Sequence, residues 1–223
     1  MRSGSLLSIE RRNQVRGFAV PVATALGRAG FTPNGLTVLG FLGTCVAAAA
    51  AAGQAWSLAG FLVLAFGVFD MFDGALARAT GRATRFGSFL DSTLDRTGEN
   101  LVLACVAIGL AFAGHPLGAG LAAVAMAVAS MVTYTRAKAE SLGVHGEVGV
   151  SPRPERLVVI GVGLLLATAL PGIVIGTAGA GGLVIAGPWP LGLALLLITV
   201  LAAVTVLQRI VHVRNQLAQG ENP

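Results

Sequence analysis

Residues 61–95 read FLVLAFGVFDMFDGALARATGRATRFGSFLDSTLD. The stretch begins as an apolar run and then, without leaving a helical pattern, places Asp70 and Asp73 at its end. A basic connection through Arg78, Arg82 and Arg85 follows, and a second run opens with Asp91 and Asp95. A carboxylate at the centre of a membrane span costs about 2.5–3.5 kcal/mol on insertion scales, and less near the interface. Four aspartates within residues 70–95 therefore need something to offset them. Asp70 and Asp73 are spaced i, i+3, and Asp91 and Asp95 i, i+4, so each pair shares one helix face. The short connection over 80–86 predicts that the two helices are antiparallel neighbours whose acidic faces meet. Four convergent carboxylates form a hard-oxygen site that suits Mg²⁺ or Mn²⁺ rather than zinc. Bridging oxygens would let two ions share it.

Working outward, a spanning helix needs about 20 mostly apolar residues. Six segments qualify, at about 34–53, 55–76, 87–113, 116–136, 156–175 and 190–211. Thr32-Pro33 supplies a capping hydroxyl and a proline where the first should begin. Gly53, Gly114-His115-Pro116 and the glycine-rich 172–188 segment supply breaks. All 15 Lys and Arg residues fall on one side of this six-span arrangement. The positive-inside rule then puts both termini, the charged loops and the aspartates on the cytoplasmic side of a multi-pass protein of the plasma (cell inner) membrane.

Composition agrees. Of 223 residues, 55% are hydrophobic and 11% charged, where an ordinary soluble domain carries about 25% charged residues. A disordered chain and a soluble single-core globule are both excluded. The 31 glycines suit helices packed closely in lipid. Cys45 and Cys105 sit in apolar runs without partners at ligand spacing and read as packing residues. The segment 6–29 mixes Ile9, Val15, Phe18 and Leu26 with arginines, as an amphipathic helix on the cytoplasmic leaflet would. No signal peptide, internal repeat or nucleic-acid partner is expected. The reading is an all-α polytopic membrane protein with a 1–32 juxtamembrane segment, a 33–215 six-helix domain and a 216–223 tail.

Within the acidic stretch, Gly74, Ala77 and Gly87 leave room for a ligand against the helix backbones. Glycine inside a helix costs about 1 kcal/mol relative to alanine, so Gly74 has a steric reason to be there. Arg78 could hold a phosphate fork-to-fork. The run resembles the signature of the CDP-alcohol phosphotransferase family, D-x2-D-G-x2-A-R-x8-G-x3-D-x3-D, at all eight fixed positions: Asp70, Asp73, Gly74, Ala77, Arg78, Gly87, Asp91 and Asp95. The resemblance implies an integral-membrane transferase that moves a phosphatidyl-type group from a CDP-linked lipid to an alcohol and releases CMP. It makes Asp70, Asp73 and Asp91 metal ligands. Asp95 becomes both a possible ligand and the general base for the acceptor hydroxyl. Gly74, Ala77, Arg78 and Gly87 take the nucleotide-contacting positions. Asn34 and Thr37, in Pro33-Asn34-x-x-Thr37, resemble the family's first-span motif, whose polar side chains reach the nucleotide. Family resemblance also implies a homodimer.

The acceptor is read from a second cluster. Arg136, Lys138, Arg153 and Arg156 flank the fourth and fifth spans and could bind an anionic acceptor such as a polyol phosphate. Arg209 is a weaker candidate. The run from Tyr134 to Gly143, with Glu155-Arg156 after it, is similar to the inositol-phosphate branch of the family. That branch makes phosphatidylinositol phosphate in actinobacteria, or its archaeal ether-lipid counterpart, from a CDP-lipid and inositol 1-phosphate. Pro154 departs from the alanine common at that position. The competing acceptor is glycerol 3-phosphate, giving phosphatidylglycerophosphate. A reading of another class is a cation or proton transporter, since intramembrane acids also mark ion paths. A transporter has no need of Gly74, Ala77, Arg78 and Gly87 at fixed offsets, and its acids belong at the midplane.

Overall fold

The structure is a computed structural model that describes residues 21, 25–146, 148–151, 153–168 and 188–220, except the side chains of residues 70, 71, 219 and 220. Among the described residues, helical positions at 25–28 are followed by six full helices: α1 Pro33–Ala52, α2 Trp56–Ala79, α3 Arg85–Phe112, α4 Pro116–Ser141, α5 Arg153–Leu166 and α6 Trp189–Gly220. No strand occurs among the described residues.

Local chemistry sets the ends. Thr32 caps α1, its Oγ1 accepting from Gly35 N at 3.1 Å, and Pro33 occupies the first turn, where no amide hydrogen is needed. Thr84 caps α3 in the same way, accepting from Gly87 N at 2.9 Å. Gly114, at φ +78°, turns the chain between α3 and α4 in a conformation that favours glycine.

The helices close a ring in which each packs against two others: α1 on α2 and α3, α3 on α4, α4 on α6, α6 on α5, and α5 on α2. The core that holds it joins Ala47, Ala51, Trp56, Val102, Val106, Leu110, Leu164, Leu191 and Ile198. Backbones approach closely where side chains vanish. A methyl group on Gly60 would stand 2.6 Å from both the Gly161 carbonyl oxygen and the Leu165 nitrogen. Gly60→Ala is therefore expected to prise α2 from α5 and destabilise the protein by about 1–3 kcal/mol. Thermal melting in detergent checks this, and an unchanged midpoint would mean that the two helices are not in contact there.

The ring corrects one expectation. The two acid-bearing helices, α2 and α3, are not packed neighbours, because α1 lies between them and touches both. Phe66 of α2 covers Gly43 of α1, and Thr44 of α1 sits against Gly98 of α3. The glycines of α1 and α3 keep this wedge thin, so that both acidic helices pack closely on α1. Residues 80–84 then join α2 to α3 at their charged ends.

Four helices, α1, α2, α4 and α6, are long and apolar enough to cross a membrane. The other two differ: α3 carries Arg85, Asp91, Asp95, Arg96 and Glu99 in its first half, and α5 is described over 14 residues only. Helices α2, α4 and α6 run past the ends of the apolar spans read from sequence, to Ala79, Ser141 and Gly220. Most of the expected amphipathic segment lies outside the described residues. Its end is described: Leu26 packs on Leu36, Ala75 and Leu76, which ties the approach to α1 onto α2.

Candidate active site

Asp73 sits in the last two turns of α2, where the helix leaves the apolar span. It is only 5% exposed, a costly place for a carboxylate unless its charge is met by hydrogen bonds. Two meet it. The Thr37 hydroxyl donates to Asp73 Oδ2 at 2.6 Å, and the Gly74 amide donates to Oδ1 at 2.5 Å. Thr37 is buried and also lies 3.1 Å from the Pro33 carbonyl oxygen. Thr37, expected as a nucleotide contact, here orients the Asp73 carboxylate, and its hydroxyl oxygen keeps lone pairs that can accept from a ligand.

Asn34, three residues earlier on α1, is placed differently. A methyl group on Gly87 would lie 2.9 Å from Asn34 Oδ1 and 3.0 Å from Thr84 Oγ1. Only glycine leaves this corner between α1 and α3 open, and the structure thus joins two of the expected nucleotide positions. On α2, the Arg78 guanidinium folds back towards Gly74, where an added methyl would stand 3.3 Å from Nη1. Arg78 is exposed and Ala77 half-buried. Asp70 lies one turn before Asp73 on the α2 backbone, and Asp91 is half-buried on α3.

Asp95 meets a partner that sequence spacing does not show. Its Oδ2 lies 2.5 Å from Arg153 Nη1, with both side chains mostly enclosed. One turn further along α3, Glu99 forms a two-pronged pair with Arg156: Nε to Oε1 at 2.6 Å and Nη2 to Oε2 at 2.9 Å. Arg156 Nη1 also donates to the Ser151 carbonyl at 2.8 Å, and Arg156 is 3% exposed.

The four basic residues expected at one acceptor pocket have different immediate partners, while Arg136 and Arg156 both stand close enough to Arg209 to act on its charge. Arg156 is enclosed, and each nitrogen of its guanidinium has a partner inside the protein. Lys138, with Tyr134, Thr135, Arg209 and Arg214, lines a groove of about 560 Å³ between α4 and α6. Arg136 lies two residues away, about 200° round the helix, and pairs with Glu140 at 2.8 Å on an open surface. Arg153 lies against an aspartate of the signature, Asp95. Arg209 is buried and donates from Nε to the Val148 carbonyl at 2.7 Å and from Nη1 to the Val132 carbonyl. Glu99, Ser151 and Thr205 were not singled out from sequence as site residues. The matching steps 95/99 and 153/156 were the available signal.

The donor set is chemically suited to a hard divalent cation: carboxylates, with no histidine or thiol among the signature residues. Asp73 accepts from Thr37 and Gly74, and a carboxylate oxygen has more than one lone pair to offer a cation. Among the described residues, no three such side chains are already gathered into a cluster.

The model of the CDP-alcohol phosphatidyltransferase family matches residues 31–213. The chain belongs to that family. It is therefore an enzyme of the CDP-alcohol phosphatidyltransferase class, and the matched region takes in all six helices. Within the family it is similar to the phosphatidylinositol phosphate synthase of Cutibacterium acnes, with 38% identity over 197 residues, covering 87% of this chain and 91% of that one. It is also similar to the archaetidylinositol phosphate synthase of Methanothermobacter thermautotrophicus, with 35% identity over 206 residues, covering 92% and 93%. Among solved structures, Mycobacterium tuberculosis phosphatidylinositol phosphate synthase with CDP-DAG bound superposes with a TM-score of 0.74 at 28% identity, covering 87% of this chain and 92% of that one. The same enzyme has been solved with manganese and citrate.

Proposed function

We propose that this chain transfers the phosphatidyl group of CDP-diacylglycerol to inositol 1-phosphate, releasing CMP and forming phosphatidylinositol phosphate. The reaction takes place at the cytoplasmic face of the plasma membrane, where the one-sided arginines put the acidic helix ends. The observation that carries the reading is the intact eight-position signature on α2 and α3, with Asp73 held by Thr37 and Gly87 kept clear beside Asn34. The acceptor is supported by the relatives, since the bacterial and archaeal synthases differ in the lipid of their names and share inositol phosphate.

Asp70, Asp73, Asp91 and Asp95 are the residues that would hold divalent cations, Mg²⁺ or Mn²⁺, two in this reading. When bound, the ions supply positive charge to the pyrophosphate and to the departing CMP. Asn34, Gly74, Ala77, Arg78 and Gly87 form the cradle for the CDP group: the small residues let it approach the backbone, and Arg78 offers paired donors to phosphate oxygens. Asp95 takes the proton of the acceptor hydroxyl. That oxygen then bonds to the phosphorus carrying diacylglycerol, and the P–O bond to CMP breaks. Arg153, in contact with Asp95, holds the acceptor's phosphate, with Arg136 as a second candidate. A homodimer belongs to this reading, supported by the exposed small residues Gly120, Ala123 and Ala127 along α4.

Replacing Arg153 with Ala is expected to raise the KM for inositol 1-phosphate by about tenfold or more, the loss of one charge-assisted contact. The KM for CDP-diacylglycerol should stay within twofold, and an unchanged acceptor KM removes Arg153 from the pocket. The function itself is tested by following CMP release with Mg²⁺ and CDP-diacylglycerol while inositol 1-phosphate, glycerol 3-phosphate, free inositol and serine are offered singly. Release with inositol 1-phosphate alone is expected. Release with glycerol 3-phosphate alone overturns the acceptor, and release with none of them overturns the proposed reaction.

A further inference from the structure

Asp95 and Glu99 stand one turn apart on α3, and Arg153 and Arg156 one turn apart on α5. Helices α3 and α5 are not neighbours in the ring, since α1 and α2 separate them on one side and α4 and α6 on the other. Two stacked ion pairs, Arg153 with Asp95 and Arg156 with Glu99, bridge them across the interior. The rungs differ in access. Arg156 and Glu99 are 3% and 7% exposed, while Arg153 and Asp95 are 19% and 16% exposed.

The buried rung also grips the backbone. Arg156 Nη1 donates to the Ser151 carbonyl, and the Ser151 amide donates to Thr205 Oγ1 of α6 at 3.2 Å. Ser151 is thus held at once by Arg156 of α5, itself paired with Glu99 of α3, and by Thr205 of α6. A two-pronged guanidinium–carboxylate pair fixes orientation as well as distance, which an ammonium does not. A buried pair of this kind adds little net stability over an apolar pair of similar volume, whereas it can set register.

We propose that Glu99 and Arg156 are a positioning clamp for the transfer reaction. They set the height of α5 against α3 and so aim Arg153 at Asp95. An acceptor phosphate held by Arg153 then has its hydroxyl beside the base. Neither clamp residue touches substrate. The proposal rests on the roles given above to Asp95 and Arg153, and it adds Glu99 and a reassigned Arg156 to the residues that govern acceptor binding.

A double-mutant cycle tests it. Glu99→Gln, Arg153→Lys and the double variant are compared in detergent for kcat and for the KM of each substrate. Glu99→Gln alone is expected to raise the acceptor KM by about tenfold, because a small misplacement at a positioned contact costs that much or more. The donor KM should move less than twofold. In the Arg153→Lys background the same change should add less than about twofold, since the two residues act as one unit. Multiplying effects, or a fall in kcat with both KM values unchanged, overturn the clamp. If Glu99→Gln does not fold, Arg156→Lys, which keeps the charge and loses the fork, takes its place with the same expectations. Wild-type enzyme is run beside them with inositol 1-phosphate and with glycerol 3-phosphate. Activity only with the second overturns the acceptor reading, and the cycle on that acceptor still decides the clamp.

Discussion

Asp91→Asn is expected to cut CMP release by about a thousandfold or more while the melting temperature stays close to that of the wild type. The substitution keeps the size and removes one charge from a set of carboxylates that would hold the divalent cations. Such a centre supplies several kcal/mol of transition-state stabilisation, and each 1.36 kcal/mol is tenfold in rate. Stability moves little, because in the absence of metal the aspartates of the signature repel one another. Asp73→Asn should show the same loss of rate, since asparagine can still accept from Thr37 but brings no charge. Retained activity in both variants, measured with Mg²⁺ present, would remove the metal-site account.

Arg156→Ala, by contrast, is expected to fail in folding before it fails in chemistry. Removing one partner of a buried pair costs about 3–5 kcal/mol, because Glu99 is left as an uncompensated charge and the Ser151 carbonyl loses its donor. Thermal melting in detergent should show the loss. Pairing the change with Glu99→Gln should recover a large part of it, since no buried charge is then left alone. A variant as stable as wild type with only the acceptor KM raised would return Arg156 to the surface of the acceptor pocket.

The contrast between these residues shows what was legible beforehand. The signature aspartates were readable because ionised groups at the end of an apolar run are too costly to be incidental, and because their spacing is fixed by helix geometry. The six helices and the Thr32-Pro33 start were readable from apolar length and capping chemistry. Partner choice was not. Arg153 and Arg156 differ by three positions and have the same charge, yet one lies beside Asp95 and the other is sealed by Glu99. Thr37 reads from sequence as a ligand contact or a cap, and only the fold shows its hydroxyl donating to Asp73. The wedge of α1 between α2 and α3 was hidden for a related reason. A short connection says that two helices are consecutive, while the glycines that decide which faces touch act through contacts far apart in sequence.

The most direct test of the whole account offers inositol 1-phosphate and glycerol 3-phosphate together, at equal concentration, to purified protein with CDP-diacylglycerol and Mg²⁺. The lipid product is then identified by mass. The account predicts phosphatidylinositol phosphate as the dominant product and none when the divalent cation is chelated. Phosphatidylglycerophosphate as the dominant product, or undiminished product after chelation, would contradict it.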